Sequence, residues 1–334
     1  MKRFIIAGMH RSGTSTVARV SNILGLDLGP DSELMGPAPD NPQGFWENQG
    51  LTAFNDRVLY EAGGTWDDPP TFEILASTPR AGDLREQAQE LLRNTLRLDP
   101  GGWKDPRGSL LAWLWEPFTA GVVICIRSPD AVAHSLARRN KMPPDECHRL
   151  WLRYTLECLA FSVPKLIVPI DQLNSEVEMM CQRLSGFLDV PDPGTQQVAR
   201  VQMYLGQSTP TELGHSESGG QWRTLAFSIY ERLVAGEDIS DLHALLALVK
   251  EPAWRAQLIK ASDSLNSVRG LLDDALEREK ALVERTEEQK TELAQLSATL
   301  GRIEVEATLA IARVKTLREQ LGEEEFWRIL TDPE

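Results

Sequence analysis

From Ile5 to Thr16 the chain reads IIAGMHRSGTST: an apolar run, glycines at 8 and 13, and four hydroxyl-bearing residues between Ser12 and Thr16. The run is too short for a helix and ends at a glycine, so it reads as a strand entering a tight turn. Directly after it, Val17, Val20, Ile23 and Leu24 recur at helical spacing on one face. A strand, a glycine turn and a helix in this order predict a crossover to a parallel neighbour, and so an α/β layer architecture.

The scheme returns twice. GVVICIR (Gly121–Arg127) is followed by Pro129 and DAVAHSLARR, and KLIVPI (Lys165–Ile170) precedes EVEMMCQRLSGFL. GGWKDPR is placed at the end of a further short strand. The predicted fold is therefore a parallel sheet with helices on both faces, and its ligand site belongs beyond the carboxyl ends of the strands.

Beyond Leu213 the pattern changes. GHSESGG reads as a linker, followed by two short amphipathic helices, QWRTLAFSIYERLVA and ISDLHALLALV. From Leu265 to Leu321 a heptad repeat runs unbroken, and 14 of its 17 first and fourth positions are apolar; the exceptions are Glu279, Thr286 and Gln289. A helix of that length would extend roughly 85 Å, far beyond what the α/β domain covers. It therefore predicts a coiled coil and homo-oligomerisation, with a single helix folded back on the domain as the alternative. The expected organisation is an α/β domain at 1–215, linker and short helices at 216–260, coiled coil at 261–322 and an acidic, aromatic tail at 323–334. In the tail, Phe326 and Trp327 would suit docking onto a partner enzyme or a membrane edge, or capping the helix end.

Charge and composition exclude several classes. A net charge of -14 is not the basic footprint of a nucleic-acid binder, so any anion site must be local. The longest apolar stretch, Leu110–Ile126, is broken by Glu116 and Pro117 and does not read as a membrane span. With only about six apolar residues ahead of His10 and Arg11, no secretory core is expected, which predicts a cytoplasmic protein, peripheral at most to the inner membrane. Cys125, Cys147, Cys158 and Cys181 lack metal-ligand spacing and are expected to be reduced, buried thiols; no metal site is predicted.

The loop carries the chemistry. Small residues after a strand expose consecutive backbone N–H groups, and the following helix aims its positive end at the same point. Arg11 adds charge, and Ser12, Thr14, Ser15 and Thr16 add hydroxyls around Gly13. Thr14, however, stands where a nucleotide hydrolase carries its lysine, which argues against a magnesium-dependent ATPase. Arg127 at a strand end and Ser135 on the second turn of the next helix would face the same crevice, a fork and a hydroxyl for a second phosphate.

In these two motifs, HRSGTST and RSPDAVAHS, residues 1 to 215 resemble the sulfotransferases that use 3′-phosphoadenosine 5′-phosphosulfate (PAPS). The stretches NPQGFWEN and WKDPR are similar to those of bacterial members. The resemblance implies a P-loop-like fold in which the loop around Arg11–Thr16 holds the 5′-phosphosulfate and Arg127 with Ser135 holds the 3′-phosphate, without a metal. It also implies a hydroxyl acceptor, of the glycan or glycoconjugate class. Such a transfer needs a base for the acceptor and a cation at the leaving oxygen. Glu47, between aromatic neighbours that would raise its pKa, is the candidate base and His10 its rival. Arg11 is the candidate cation, and Lys104 is a candidate contact to the sulfuryl group or acceptor. Asp105 and Arg107 read as an ion pair that fixes the loop. Trp46, Trp66, Trp103, Trp113 and Trp115 read as core residues before sugar platforms, although Trp46 or Trp66 could stack on a sugar ring, while His134, His148, His215 and His243 read as structural or surface residues. A P-loop kinase acting on a small molecule, and a coiled-coil scaffold with a vestigial nucleotide site, are the alternatives.

Overall fold

The computed structural model describes residues 1–39, 41–207, 220–250, 270, 274 and 290–331. They form two compact units, Met1–Val249 and Lys250–Glu334.

The first unit is built on four parallel strands, β1 (Arg3–Ala7), β2 (Gly101–Lys104), β3 (Gly121–Ile126) and β4 (Lys165–Pro169), in the order β2-β1-β3-β4. The chain winds outward from β1 to β2 and then returns to the opposite side for β3. That reversal makes the carboxyl ends of β1 and β3 the topological switch point where α/β sheets bind ligands. In chain order the helices are α1 (Thr14–Leu24), α2 (Gln49–Glu61), α3 (Glu73–Ser77), α4 (Arg80–Thr95), α5 (Ala112–Trp115), α6 (Pro129–Asn140), α7 (Pro144–Leu159), α8 (Ile170–Ser175), α9 (Val177–Leu188), α10 (Thr195–Gly206) and α11 (Gln221–Val234). A further helix, α12, covers residues 242–250.

Side chains alternate across the sheet as the strand period of two requires. Phe4 and Ile6 of β1, with Val123 and Cys125 of β3, meet α1, α9 and Val201 of α10. Ile5 and Ala7, with Val122, Ile124 and Ile126, face the larger core under α2, α4, α7 and α11. Both faces are covered, which explains why these strands read as continuous apolar runs. The α/β reading therefore holds.

Helix α11, placed by the sequence between domains, packs into this larger core through Trp222, Ala226, Ile229 and Leu233. Its Arg223 makes a fork to Asp130 on α6, at 2.9 and 2.7 Å, and His148 meets the same carboxylate at 2.9 Å. His148, for which the sequence offers no partner, is thus a buried link between α6 and α7, brought to Asp130 across a helix hairpin. All four cysteines are buried and free.

The second unit is described from α13 (Lys290–Leu321) and α14 (Glu323–Thr331). The heptad positions Leu265, Val268, Leu272, Ala275, Glu279, Leu282, Thr286 and Gln289 and the linker 214–219 lie outside the described residues. Along α13, Ile303, Ala310 and Leu317 are buried, and Leu300, Ala307, Val314 and Leu321 half-buried, at alternating steps of three and four. Gly322, at φ 77°, turns the tail back: Ile329 of α14 packs on Leu317 beside Val314 and Leu321, and the Arg318 guanidinium lies 5.8 Å over the Trp327 ring. Among the described residues, no helix is long and apolar enough to cross a membrane.

Candidate functional site

The loop between β1 and α1 is shaped by two glycines that no other residue could replace without strain. Gly8 has φ 139°, and a Cβ there would stand 2.4 Å from the Cys125 carbonyl oxygen of β3. Gly13 has φ 83°, with Ile170 at 2.6 Å from the same virtual atom. Arg11 itself adopts φ 70°, a conformation that costs a non-glycine residue about 1 kcal/mol or more. The Gly8 N–H is tied to Ser109 Oγ at 3.0 Å and the Ser12 N–H to Met9 O at 3.1 Å. The ladder of α1 begins with Val17 donating to Gly13 O at 3.0 Å, so the N–H groups of Thr14, Ser15 and Thr16 precede it and point out of the helix end.

Two adjoining cavities, of about 260 and 1120 Å³, open at this loop and share Arg11, Gly13, Thr16, Asn41, Arg127 and Arg139. His10, Thr14, Ser15, Glu47, Lys104 and Arg107 line the smaller, and Ser135, Arg138, Ile170, Asn174, Gln202 and Leu205 the larger. In a chain of net charge -14, Arg11, Lys104, Arg107, Arg127, Arg138 and Arg139 thus converge on one crevice, opposed among its lining by Glu47 and Asp171. Such a local excess of positive charge attracts anions.

Ser12 is the exception among the loop residues. It is fully buried, its hydroxyl has no hydrogen-bond partner among the described residues, and it lines neither cavity, so it is not placed to meet a ligand.

Lys104 resolves the missing loop lysine. At the end of β2, next to β1, its ammonium is 3.3 Å from Ser15 Oγ and paired with Glu47 Oε1, with both side chains buried. The cation absent at Thr14 arrives from the neighbouring strand. Glu47 immediately precedes Asn48, whose side chain caps α2 by accepting from the Leu51 N–H at 3.1 Å. Its carboxylate, expected from the sequence among aromatic neighbours, is held by two cations: by Lys104 and, at 3.7 Å, by Arg107.

His10 packs against Trp66 (ring centroids 4.6 Å apart) and the edge of Tyr154 (5.8 Å). Burial first, then Arg107, Lys104, Arg139 and Arg11, hold its pKa well below the ordinary value, so the ring is neutral at physiological pH. The aromatic platforms are already covered: the Arg139 guanidinium lies 5.6 Å over Trp66, and that of Arg19 4.5 Å over Trp46. A sugar ring stacking on either of those faces would have to displace an arginine.

Across the crevice, Ser135 Oγ accepts from Arg11 Nε at 2.9 Å, which joins the two sequence motifs directly. Arg127 donates from Nη1 to Arg11 O at 3.4 Å, and its own carbonyl accepts from Trp151 Nε1 at 3.0 Å. Burial lowers the Arg127 pKa, and the nearby Asp171 offsets only part of this. A guanidinium desolvated to that degree is stabilised by a counter-anion.

Asp105, fully buried, accepts from the Arg107 N–H (2.9 Å), Arg107 Nη1 (3.1 Å) and Asn55 Nδ2 (2.8 Å), which realises the expected ion pair. Its pKa is pushed up to about 6, chiefly by burial, with Arg107 opposing and Glu47 adding. A carboxyl group whose folded value exceeds its unfolded one holds its proton better when folded, so the stability it contributes is lost as pH rises through 6. We expect the stability of the natural chain relative to Asp105→Asn to fall by about 2 to 3 kcal/mol between pH 4 and pH 7. Urea denaturation of both across that range checks this; a pH-independent difference would place the titration elsewhere.

Asn41, Asn55, Asp56, Asn174 and Gln202 belong to the site or its support and were missed by sequence reasoning. Polar residues without a motif around them gave no signal. Among the described residues no cluster of acidic, histidine or cysteine side chains could hold a metal.

No family model matches the chain, and no curated protein matches it. Among solved structures it is similar to the sulfotransferase domain from the Synechococcus PCC 7002 olefin synthase, with 19% identity and a TM-score of 0.39 over 71% of this chain and 95% of that one. It is also similar to the sulfotransferase STF9 from Mycobacterium avium, with 15% identity and a TM-score of 0.40 over 72% of this chain and 77% of that one.

Proposed function

We propose that this chain is a PAPS-dependent sulfotransferase that delivers a sulfuryl group to a hydroxyl acceptor, of the carbohydrate or glycoconjugate class by the resemblance of its motifs. The observation that carries the reading is the convergence of two anion subsites on one crevice: the loop of Gly13–Thr16 with Lys104, and Arg127 with Ser135, bridged by Arg11. A nucleotide with phosphates at both its 5′ and 3′ positions matches that pair of subsites, whereas a 5′-triphosphate would leave Arg127 and Ser135 unused.

PAPS would supply an activated sulfuryl group whose departure leaves negative charge on a 5′-phosphate oxygen. In this reading the N–H groups of Thr14, Ser15 and Thr16 and the hydroxyl of Ser15 bind that phosphate, and Arg11 and Lys104 neutralise the developing charge. Glu47, across the Lys104 ammonium from the loop, takes the acceptor's proton. His10, neutral and wedged between Trp66 and Tyr154, orients the loop and excludes water. The fit rests on the chain's own groups: a buried lysine aimed at the loop, a desolvated arginine that lines one cavity with a serine, and a helix end whose N–H groups precede the helical ladder.

Calorimetry with adenosine 3′,5′-bisphosphate and with ATP tests the reading. Binding of the bisphosphate without magnesium, tighter than that of Mg-ATP, is expected. A preference for Mg-ATP would turn the assignment to a kinase, and no binding of either would leave the coiled-coil scaffold.

A further inference from the structure

Behind Glu47, Lys104 and Arg107 lies a polar chain that runs from the hydrophobic core to the loop. It begins at Trp115, fully buried, whose indole N–H donates to Asn55 Oδ1 at 2.9 Å. Since an indole can only donate, this bond fixes which way the Asn55 amide faces and leaves Nδ2 to donate to Asp105 Oδ2, at 2.8 Å. The other oxygen of Asp105 receives Arg107 twice, through its N–H and Nη1. The Arg107 guanidinium then stands 3.7 Å from Glu47 Oε2 and is held on its Nε side by Asp56. The chain ends at Lys104, between Glu47 and Ser15.

Asn55 and Asp56 are adjacent on α2, the helix whose first turn follows directly on Glu47. Asn55 is fully buried, although an apolar residue would serve the core equally well if packing were its only task. We infer that Asn55 and Asp56 are positioning residues: they fix Asp105 and Arg107 from α2, and through them the direction in which the Glu47 carboxylate points. Neither reaches the cavities, and neither is among their lining residues. The consequence is a frame in which Glu47 stands just ahead of the Asn48 cap of α2 and, two turns on, the same helix carries the groups that aim it. A carboxylate misdirected by about 1 Å loses on the order of a hundredfold in rate, while a phosphate held by the loop is unaffected.

The inference rests on the sulfuryl-transfer reading, and the experiment separates the two. With the full-length chain, release of adenosine 3′,5′-bisphosphate from PAPS is followed with methyl glucoside, whose aliphatic hydroxyls need a base, as acceptor, alongside calorimetric affinity for the bisphosphate. Asn55→Leu and Asp56→Asn are each expected to lower kcat about tenfold or more, while bisphosphate affinity stays within about threefold. Asp56→Glu, which restores the carboxylate, is expected to recover most of the turnover lost in Asp56→Asn. Because Asp56 is half-exposed, its variants test the inference even if Asn55→Leu fails to fold. Unchanged kcat in Asp56→Asn, or turnover and affinity falling together, overturns it. A natural chain that binds the bisphosphate yet releases none from PAPS overturns the parent reading, and the inference with it.

Discussion

Replacing Glu47 by glutamine is expected to lower turnover at least about a hundredfold, the loss typical when a positioned base is removed. Nucleotide binding is expected to survive or tighten. The physical reason lies in the pairing with Lys104. Once the carboxylate is gone, the buried lysine has lost its compensating partner, and a phosphate bound at Ser15 becomes the nearest available anion. The same loss destabilises the free protein: breaking a buried pair by removing one member costs about 3 kcal/mol. A lowered melting temperature, largely restored by saturating adenosine 3′,5′-bisphosphate, should therefore accompany the kinetic defect. Steady-state kinetics, calorimetry and thermal melts on one preparation check all three. Near-normal turnover would move the base to His10, whose ring is neutral and lines the same cavity.

The second large effect belongs to Arg127. Arg127→Ala is expected to weaken bisphosphate binding about a hundredfold, because a partly desolvated guanidinium fork to phosphate is worth about 3 kcal/mol. The substitution should leave the fold intact: the tie between Trp151 and this residue uses the backbone carbonyl, not the side chain. Binding of adenosine 5′-phosphate, which has no 3′-phosphate, should be nearly unchanged by the substitution. That difference between two nucleotides is the informative measurement. Equal weakening of both would show that Arg127 acts on the loop, through its contact with Arg11 O, and does not read a second phosphate. Where Glu47→Gln separates turnover from binding, Arg127→Ala separates one end of the nucleotide from the other.

Much of the framework was visible in the residues themselves. A strand buried on both faces has to be apolar at every position, so GVVICIR and RFIIAG announced parallel strands. The two glycines of the loop announced a turn that other residues could not make. Arg127 and Ser135 were expected at one crevice from a strand end and the second turn of the following helix, and both line the larger cavity. In α13 the heptad spacing of Ile303, Ala310 and Leu317 predicted the buried seam, since a helix can hide only one stripe of its surface.

What covers that stripe was not legible, because periodicity specifies a face and is silent about its partner. The ion pairs of Glu47 were hidden for a similar reason. Phe45 and Trp46 are its neighbours along the chain, but Lys104 and Arg107 are its neighbours in space, brought there from another strand by the pairing of β1 with β2. For Trp46 and Trp66 the sequence allowed either a core position or a sugar platform, and gave no sign of the Arg19 and Arg139 guanidinium groups that lie over them. His148 and Asn55 carried no motif and found their partners only when helices closed on one another.

The local chemistry of the loop, its turn, its donors and its missing lysine, followed from covalent structure and backbone sterics, which act between residues close along the chain. The replacement for that lysine did not, because Lys104 lies about ninety positions away and reaches Ser15 only through the register of β2 on β1. Charge interactions depend on distance in space and on the water excluded between the groups, and both are properties of the folded chain alone.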